Sequence, residues 1–330
     1  MRLLRILCNV VLGNFVQGED NGKNMLQLIF KRALMALPVL WIVASLTFIL
    51  VRIVPGGPFD AEKNLPPEIV ANIKAKYHLD RPVPEQYLLY MQRLIRGDLG
   101  VSYKYVSRTV NDILCDAFPV SLQLGAMALL LAVAFGVPLG TIAAVRRGTV
   151  WDWSAMFMST VGVSIPGFLV GALLIFVFGL WLKILPVALW ENWRNMILPA
   201  VTLAVGPAAY LARLTRASVL DVLEKDWVRT ARSKGLSDRR TVLKHVLRNA
   251  LVPVATVLGP LTAILITGSF VVEFIFAIPG MGRFFITAVG NRDYDLIIGT
   301  TLIFAVLLII ANTIVDIVYQ ILDPRIRMES

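Results

Sequence analysis

SVLDVLEKDWVRTARSKGLSDRRTVLKHVLRNALVP, residues 218–253, is a cationic segment set between two uncharged runs, Asn195–Ala212 and Asn249–Val272, each long enough to cross a bilayer. The segment carries its own turn signals. Gly235 followed by apolar Leu236 is the pattern of a helix closed by a left-handed glycine with a hydrophobic contact one residue later. Ser237 is placed to cap the next helix, with Asp238 at its positive end. That helix runs through Val242, Leu243, Val246, Leu247 and Ala250 at helical spacing. Ser218 with Asp221 three residues on reads as a capping-box-like start for the first helix, whose apolar stripe is Val219, Leu223, Trp227 and Ala231. A basic helix-turn-helix between spans is a docking surface.

Working outward, the chain is 57% hydrophobic and 16% charged, with a mean hydropathy of +0.72. These values lie far from those of a soluble domain. Uncharged runs at Ala33–Val51, Ala117–Val145, Trp153–Leu182, Asn195–Ala212, Asn249–Val272 and Leu296–Val315 each approach or exceed the ~18 residues needed to cross hydrocarbon. Backbone groups in lipid must be paired within the segment, so the expected fold is an all-α integral membrane protein of six transmembrane helices. With both termini inside, 19 of the 32 Lys and Arg fall in cytoplasmic segments, as positive-inside bias requires. The net charge of +10 therefore reflects topology and membrane lipid rather than nucleic-acid binding.

The loop 55–116 is too long to be a plain connector. Its eight Lys and Arg are balanced by eight Asp and Glu, which suits an external position. One helix is expected from Pro66 through Ile69, Ile73 and Tyr77. A second is expected from Pro84 through Tyr87, Leu88, Met91, Leu94 and Ile95, ended by Gly97. Residues 1–24 read as an amphipathic N-terminal extension, because no small-x-small cleavage site precedes GEDNGKN. Cys8 and Cys115 fall on opposite sides of this topology, and His78 and His245 are the only histidines. Neither a disulfide framework nor a metal site is expected.

The sequence from Arg229 to Leu236 resembles the cytoplasmic "EAA" loop of binding-protein-dependent ABC importers. There, E-A-A, three residues and Gly are followed by I-x-L-P. Aligned on Gly235, Arg229, Thr230 and Ala231 occupy the E-A-A positions, and His245, Val246, Leu247 and Arg248 those of I-x-L-P. Both the acid and the proline are absent. R-T-A-R-x-K-G-L is similar to the peptide-permease branch, as are LPPEIVANIKAKYHLDRP (65–82), RGDLGVSY (96–103), IPGMGRFF (278–285) and NRDYDL (291–296). Across Met25 to Arg327 the chain is identified as a member of the B-type membrane subunits of oligopeptide and dipeptide permeases.

That resemblance implies a type I ABC importer membrane domain over 25–330, with 55–116 as an external helical loop and 218–253 as the segment coupled to an ATPase subunit. Arg229, Thr230, Ala231, Arg232, Gly235 and Leu236 are the expected contacts. It also implies four kinds of partner: a second homologous membrane subunit, two ATP-binding subunits that carry ATP and Mg, an extracytoplasmic peptide-binding protein, and membrane lipid. The chain itself has no G-x-x-x-x-G-K followed by Ser or Thr, so no cofactor of its own and no ATPase site are expected.

Charge within spans is sparse. Arg52, Glu273 and Asp316 lie near span ends, where each could anchor at an interface or face a pathway. Proline and glycine interruptions at Ser164-Ile165-Pro166-Gly167 and around Gly268 make the third and fifth spans the pathway candidates, with Ser164, Pro166, Thr267, Ser269 and Glu273 as named positions. A secondary transporter or channel is the alternative, but it should show an inverted repeat and paired intramembrane ionisable groups, and neither is found. An enzyme would need converging catalytic groups, also not found.

The topology gives the first prediction. Single cysteines at Asn72 and Asp238, in a background without Cys8 and Cys115, are expected to label from opposite faces of sealed cells; labelling of both from one face rejects the assignment.

Overall fold

The computed structural model of the chain describes residues 25–58, 75–105 and 107–322, with isolated positions 68 and 72. The extension 1–24 and the loop helix expected through Pro66, Ile69 and Ile73 lie outside the described residues, as does the side chain of Asp316. Among the described residues all regular structure is helical apart from an isolated bridge between Val101 and Thr109.

The chain opens with α1 (Met25–Ile53), followed in the long loop by α2 (Val83–Ile95). α3 (Val110–Val145) runs back through the bundle. α4 (Val150–Ser164) and α5 (Gly167–Leu174) come next, and α5 continues into a π-helical turn at Ile175–Trp181. α6 (Trp193–Leu223) leads to α7 (Asp226–Ser233). α8 (Asp238–Arg240), a π-helical stretch at Thr241–Val246 and α9 (Leu247–Ala250) follow without a break. The last elements are α10 (Val252–Ile266), α11 (Phe270–Ile275), α12 (Met281–Asn291) and α13 (Tyr294–Leu322). Five stretches, in α1, α3, α6, α10 with α11, and α13, are long and apolar enough to span a membrane, and α4 with α5 make a sixth if that bent pair counts as one.

The interruption expected at Ser164–Gly167 is a sharp break, with α4 and α5 bent by 105°. Pro166 disfavours a helical residue before it, and Ile165 accordingly sits extended at φ −83°, ψ 127°. The helix start expected at Ser218 is not formed. α6 runs through it, because Leu211, Ala212, Thr215, Ser218 and Val219 make one continuous buried face, and tertiary burial outweighs a local capping pattern. The break comes later, at Glu224 and Lys225.

Close packing of α3 on α6 organises the bundle. A Cβ at Gly136 would lie 2.6 Å from the carbonyl oxygen of Ala208, and one at Gly140 would collide with the carbonyl of Ala212. Gly125 in the same helix meets the backbone of Leu265 in α10. Without a hydrophobic difference between lipid and side chain, such backbone approach is what gives membrane helices their packing energy. Pro119, Pro138, Pro199, Pro207 and Pro260 lie within these helices.

The bundle has two distinct ends. At one, α2 packs on the last turns of α1: Phe48 and Tyr90 are buried together, Ser45 Oγ lies 2.7 Å from Tyr87 Oη, and the Arg52 guanidinium donates to Gln86 at 2.9 Å while covering the Phe48 ring. The α2 face differs from the expected one, since Tyr90 is buried and Leu88 and Ile95 point outward. Gly97 then takes φ +77°, a conformation that favours glycine. At the root of α13, Asp293 accepts from Ser102 Oγ and from the Tyr103 amide at 3.1 Å, and Arg93 reaches Asp295 at 3.4 Å. Burial pushes the Asp293 carboxyl above its ordinary range, against the pull of those donors. At the other end lie 146–149 and 224–251, which carry most of the exposed basic residues.

The glycine contacts predict a contrast between two substitutions. Gly140→Val should force α3 from α6 and destabilise the detergent-solubilised chain by about 1–3 kcal/mol. Gly206→Ala, where a Cβ meets nothing within 4 Å, should be neutral or slightly stabilising. Thermal unfolding of the two variants against the parent reads both.

Candidate functional site

The basic end is built on a small apolar cluster. Val228 of α7 is fully buried and packs with Ala144 at the end of α3, Val219 near the end of α6, and Val246 and Ala250 leading into α10. One side of α7 therefore rests on the Thr241–Val246 stretch and joins the apolar cluster that closes this end of α3 and α6. Its other side, with Arg229, Thr230, Ser233 and Lys234, faces away from the bundle. Arg229 is 75% exposed, and it pairs only loosely with the almost fully exposed Asp226, 4.0 Å away. Exposed pairs at this spacing add little stability, so the guanidinium is free to be used elsewhere. Ala231 is half-buried beneath this face. Arg232 lies in the same helix, its side chain outside the described residues.

The turn forms as its residues dictate. Gly235 has φ +83°, and the Leu236 amide donates to the Ala231 carbonyl at 3.4 Å, the six-to-one bond of a Schellman motif. A Cβ at Gly235 would meet nothing within 4 Å, so the glycine serves the backbone conformation rather than close packing. Ser237 stands at the N-cap position of α8 with extended backbone, but its side chain makes no cap bond. From there Thr241, Val242, Val246 and Ala250 turn inward while Leu243 stays exposed, which narrows the expected apolar face. Trp227, Lys244, His245, Arg248 and Asn249 line an open cleft of about 470 Å³ beside α7.

The pathway candidates fall at two breaks. Ser164 and Pro166 are exposed at the α4–α5 bend. Thr267 ends α10 with its hydroxyl donated to the Ala263 and Ile264 carbonyls, Gly268 takes φ +90°, and Ser269 accepts from the Val272 amide to start α11. Thr267 and Gly268 line a cavity of about 210 Å³ with Phe270, Phe304, Ala305 and Leu308. α5 and α11 are joined where Gly171 sits against Thr202 and Phe276.

Glu273, one turn beyond that break, is fully buried. Its Oε2 accepts from the Gly282 amide at 2.8 Å at the start of α12, and Ser121 Oγ, in α3, accepts from the Met281 amide at 2.9 Å. The carboxylate thus caps α12 from α11, where the helix dipole favours negative charge. Gly280 and Gly282 leave room for it, since a Cβ at Gly280 would collide with the carboxylate.

Two further features escape a reading of local pattern. Asp152 in α4 is buried and takes Arg216 of α6 in a two-pronged ion pair at 2.6 and 2.8 Å, and Arg147 meets Glu224 at 3.3 Å. A lone acid at the edge of an apolar run and a lone arginine 64 residues on were the only available signal. No group of three or more potential metal-ligating side chains occurs among the described residues.

Comparison with known proteins accords with this architecture. Residues 136–328 match the family model described as "Binding-protein-dependent transport system inner membrane component", and residues 25–125 match the model for the N-terminal part of such membrane components. The oligopeptide transport system permease protein OppB of Haemophilus influenzae is 46% identical over 305 residues, 92% of this chain and all of that protein. The dipeptide transport system permease protein DppB of Bacillus subtilis is 47% identical over 289 residues, 88% of this chain and 94% of that one. Among solved structures, a chain of the inward-facing MetNI methionine ABC transporter superposes with a TM-score of 0.52 at 17% identity, covering 64% of this chain and 94% of its own length. That likeness speaks to the fold.

Bundle and basic loop are thus those of a multi-pass permease subunit of the ABC-importer type. The chain belongs to the family of inner-membrane components of binding-protein-dependent transport systems.

The geometry of Glu273 predicts a graded response. Glu273→Gln keeps an acceptor for the Gly282 amide and should change stability little. Glu273→Ala leaves buried donors unpaired and should cost about 2–4 kcal/mol, read as a lower thermal midpoint in detergent.

Proposed function

We propose that this chain is the membrane half-channel of an ATP-driven peptide importer, and that α7 with the Gly235 turn couples it to an ATP-binding subunit. The observation that carries this reading is the burial of Val228 in one apolar cluster with Ala144 of α3, Val219 of α6, and Val246 and Ala250 ahead of α10, while Arg229, Thr230, Ser233 and Lys234 face outward. A force on α7 reaches the ends of the membrane helices through that cluster. Peptide as cargo is supported by relatives 46 and 47% identical whose names are oligopeptide and dipeptide permeases.

In this reading the chain lies in the inner membrane with the basic end and both termini cytoplasmic, and 55–116 faces an extracytoplasmic peptide-binding protein. A second homologous membrane subunit completes the pathway. Two ATP-binding subunits hold ATP and Mg, and their closure drives alternating access through contacts that differ between the two states. The breaks at Ser164–Pro166 and Thr267–Ser269 are where helices can bend around a passage, with Glu273 holding α12 against the second break. Residues 1–24 stand outside this permease domain.

Gly235→Val tests the assignment. A β-branched residue at φ +83° should strain the turn by roughly 1 kcal/mol or more without touching the spans. The variant is expected to insert and to lose peptide uptake in the assembled transporter, through weaker subunit association or through ATP hydrolysis no longer linked to transport, while Arg229→Ala is milder. Wild-type uptake by a normally assembled Gly235→Val transporter would overturn the coupling role.

A further inference from the structure

The cleft of Trp227, Lys244, His245, Arg248 and Asn249 is not part of the outward face of α7, and its chemistry is one-sided. Its lining holds two basic side chains, an imidazole, an amide and an indole, and no acid. Lys244 and Arg248, one helical turn apart, have no ion pair with any carboxylate among the described residues. Asn249 spends its amide on the His245 carbonyl at 3.1 Å, which leaves its oxygen as the lone side-chain acceptor apart from the imidazole. An unopposed pair of cations beside a half-exposed indole is a receptor for an anion carried on a group with an apolar stem.

The cleft's position selects among anions. Its Trp227 wall belongs to α7 itself, adjacent to Val228, so any body that receives α7 also covers the cleft. At about 470 Å³ it is larger than a carboxylate and suits a whole projecting side chain with its neighbours. The surrounding segment 224–249 carries eight Lys and Arg against three Asp and Glu, so a partner surface must be acidic to dock without repulsion.

We propose that this cleft is a second docking element, a socket for an Asp or Glu side chain projecting from the ATP-binding subunit that takes α7. Docking is then reciprocal: the membrane subunit inserts a helix and receives an acid. The proposal rests on the coupling reading of 218–253. It also gives a physical sense to Arg229 where the wider loop motif has an acid, since the whole contact is built with the membrane side positive.

The test uses the complete transporter in nanodiscs. Lys244→Glu with Arg248→Glu should weaken association with the ATP-binding subunits at least about tenfold at ~0.1 M salt, and the parent's association should itself fall as salt rises. Lys244→Gln with Arg248→Gln, which keeps size without charge, should lose less and flatten the salt dependence. Both positions are exposed, and monodisperse extraction of each variant confirms folding. Association of the Glu pair equal to the parent, with the same salt dependence, overturns the socket. So does a defect seen only as lost preference for anionic over zwitterionic nanodiscs, which would make the cleft a lipid headgroup site. If the Glu pair is silent while Gly235→Val abolishes uptake, the socket alone fails; if both are silent, the coupling reading fails with it.

Discussion

Inside hydrocarbon no water is available to a backbone amide or carbonyl, and the whole molecule is shaped by the need to pair each one within the chain. Regular helix does most of this. Hydroxyls inside it pair their own O–H in the same way, as Ser159, Thr202, Thr262 and Thr300 donate to carbonyls four residues back. Where helices break, a specific group repairs the loss: Ser269 caps α11, and Glu273 with Ser121 satisfies the first amides of α12. A fully buried carboxylate is costly unless hydrogen-bonded. Here it stands where several amides point, and Gly280 and Gly282 exist to let it approach.

The same economy of contact governs the basic end. α7 is short and rich in charge, and a helix of this length has little stability of its own. It holds its place through Val228 and through the turn at Gly235, so its outward residues remain available. Rigidity comes from below, where α3 and α6 approach backbone to backbone at Gly136 and Gly140. An exposed surface seated on a stiff base is suited to passing motion in both directions.

Much of this was legible in the sequence. The apolar runs located the spans because length and composition alone separate membrane helices from the rest, and Gly235–Leu236 announced a positive-φ turn because few residues other than glycine adopt it. The α2 helix was legible from Pro84 and Gly97, but its buried face was not, because Tyr90 is apolar only once Phe48 covers its ring. Ser218 misled because a capping pattern is local, whereas the face through Leu211, Thr215 and Val219 is set by α3. Pro166 was visible as an interruption, yet the 105° bend depends on what α5 packs against. The role of Glu273 joins Ser121, Gly280 and Gly282, residues that no short pattern links, and a lone intramembrane acid reads equally as pathway or as clamp.

The ion pair between Asp152 and Arg216 bears on how the protein is made. The acid emerges 64 residues before the arginine, which at ribosomal speeds of about 5–20 residues per second is a delay of several seconds. During that interval α4 carries its carboxylate with only the Gly148 amide and nearby Arg147 for company, and α5 has no α6 to lean on. The packed arrangement of α4 and α5 is therefore complete only once α6 is in place, which makes residues 150–223 one unit of assembly. A chaperone or insertase that shelters a half-made hairpin would have its longest task here.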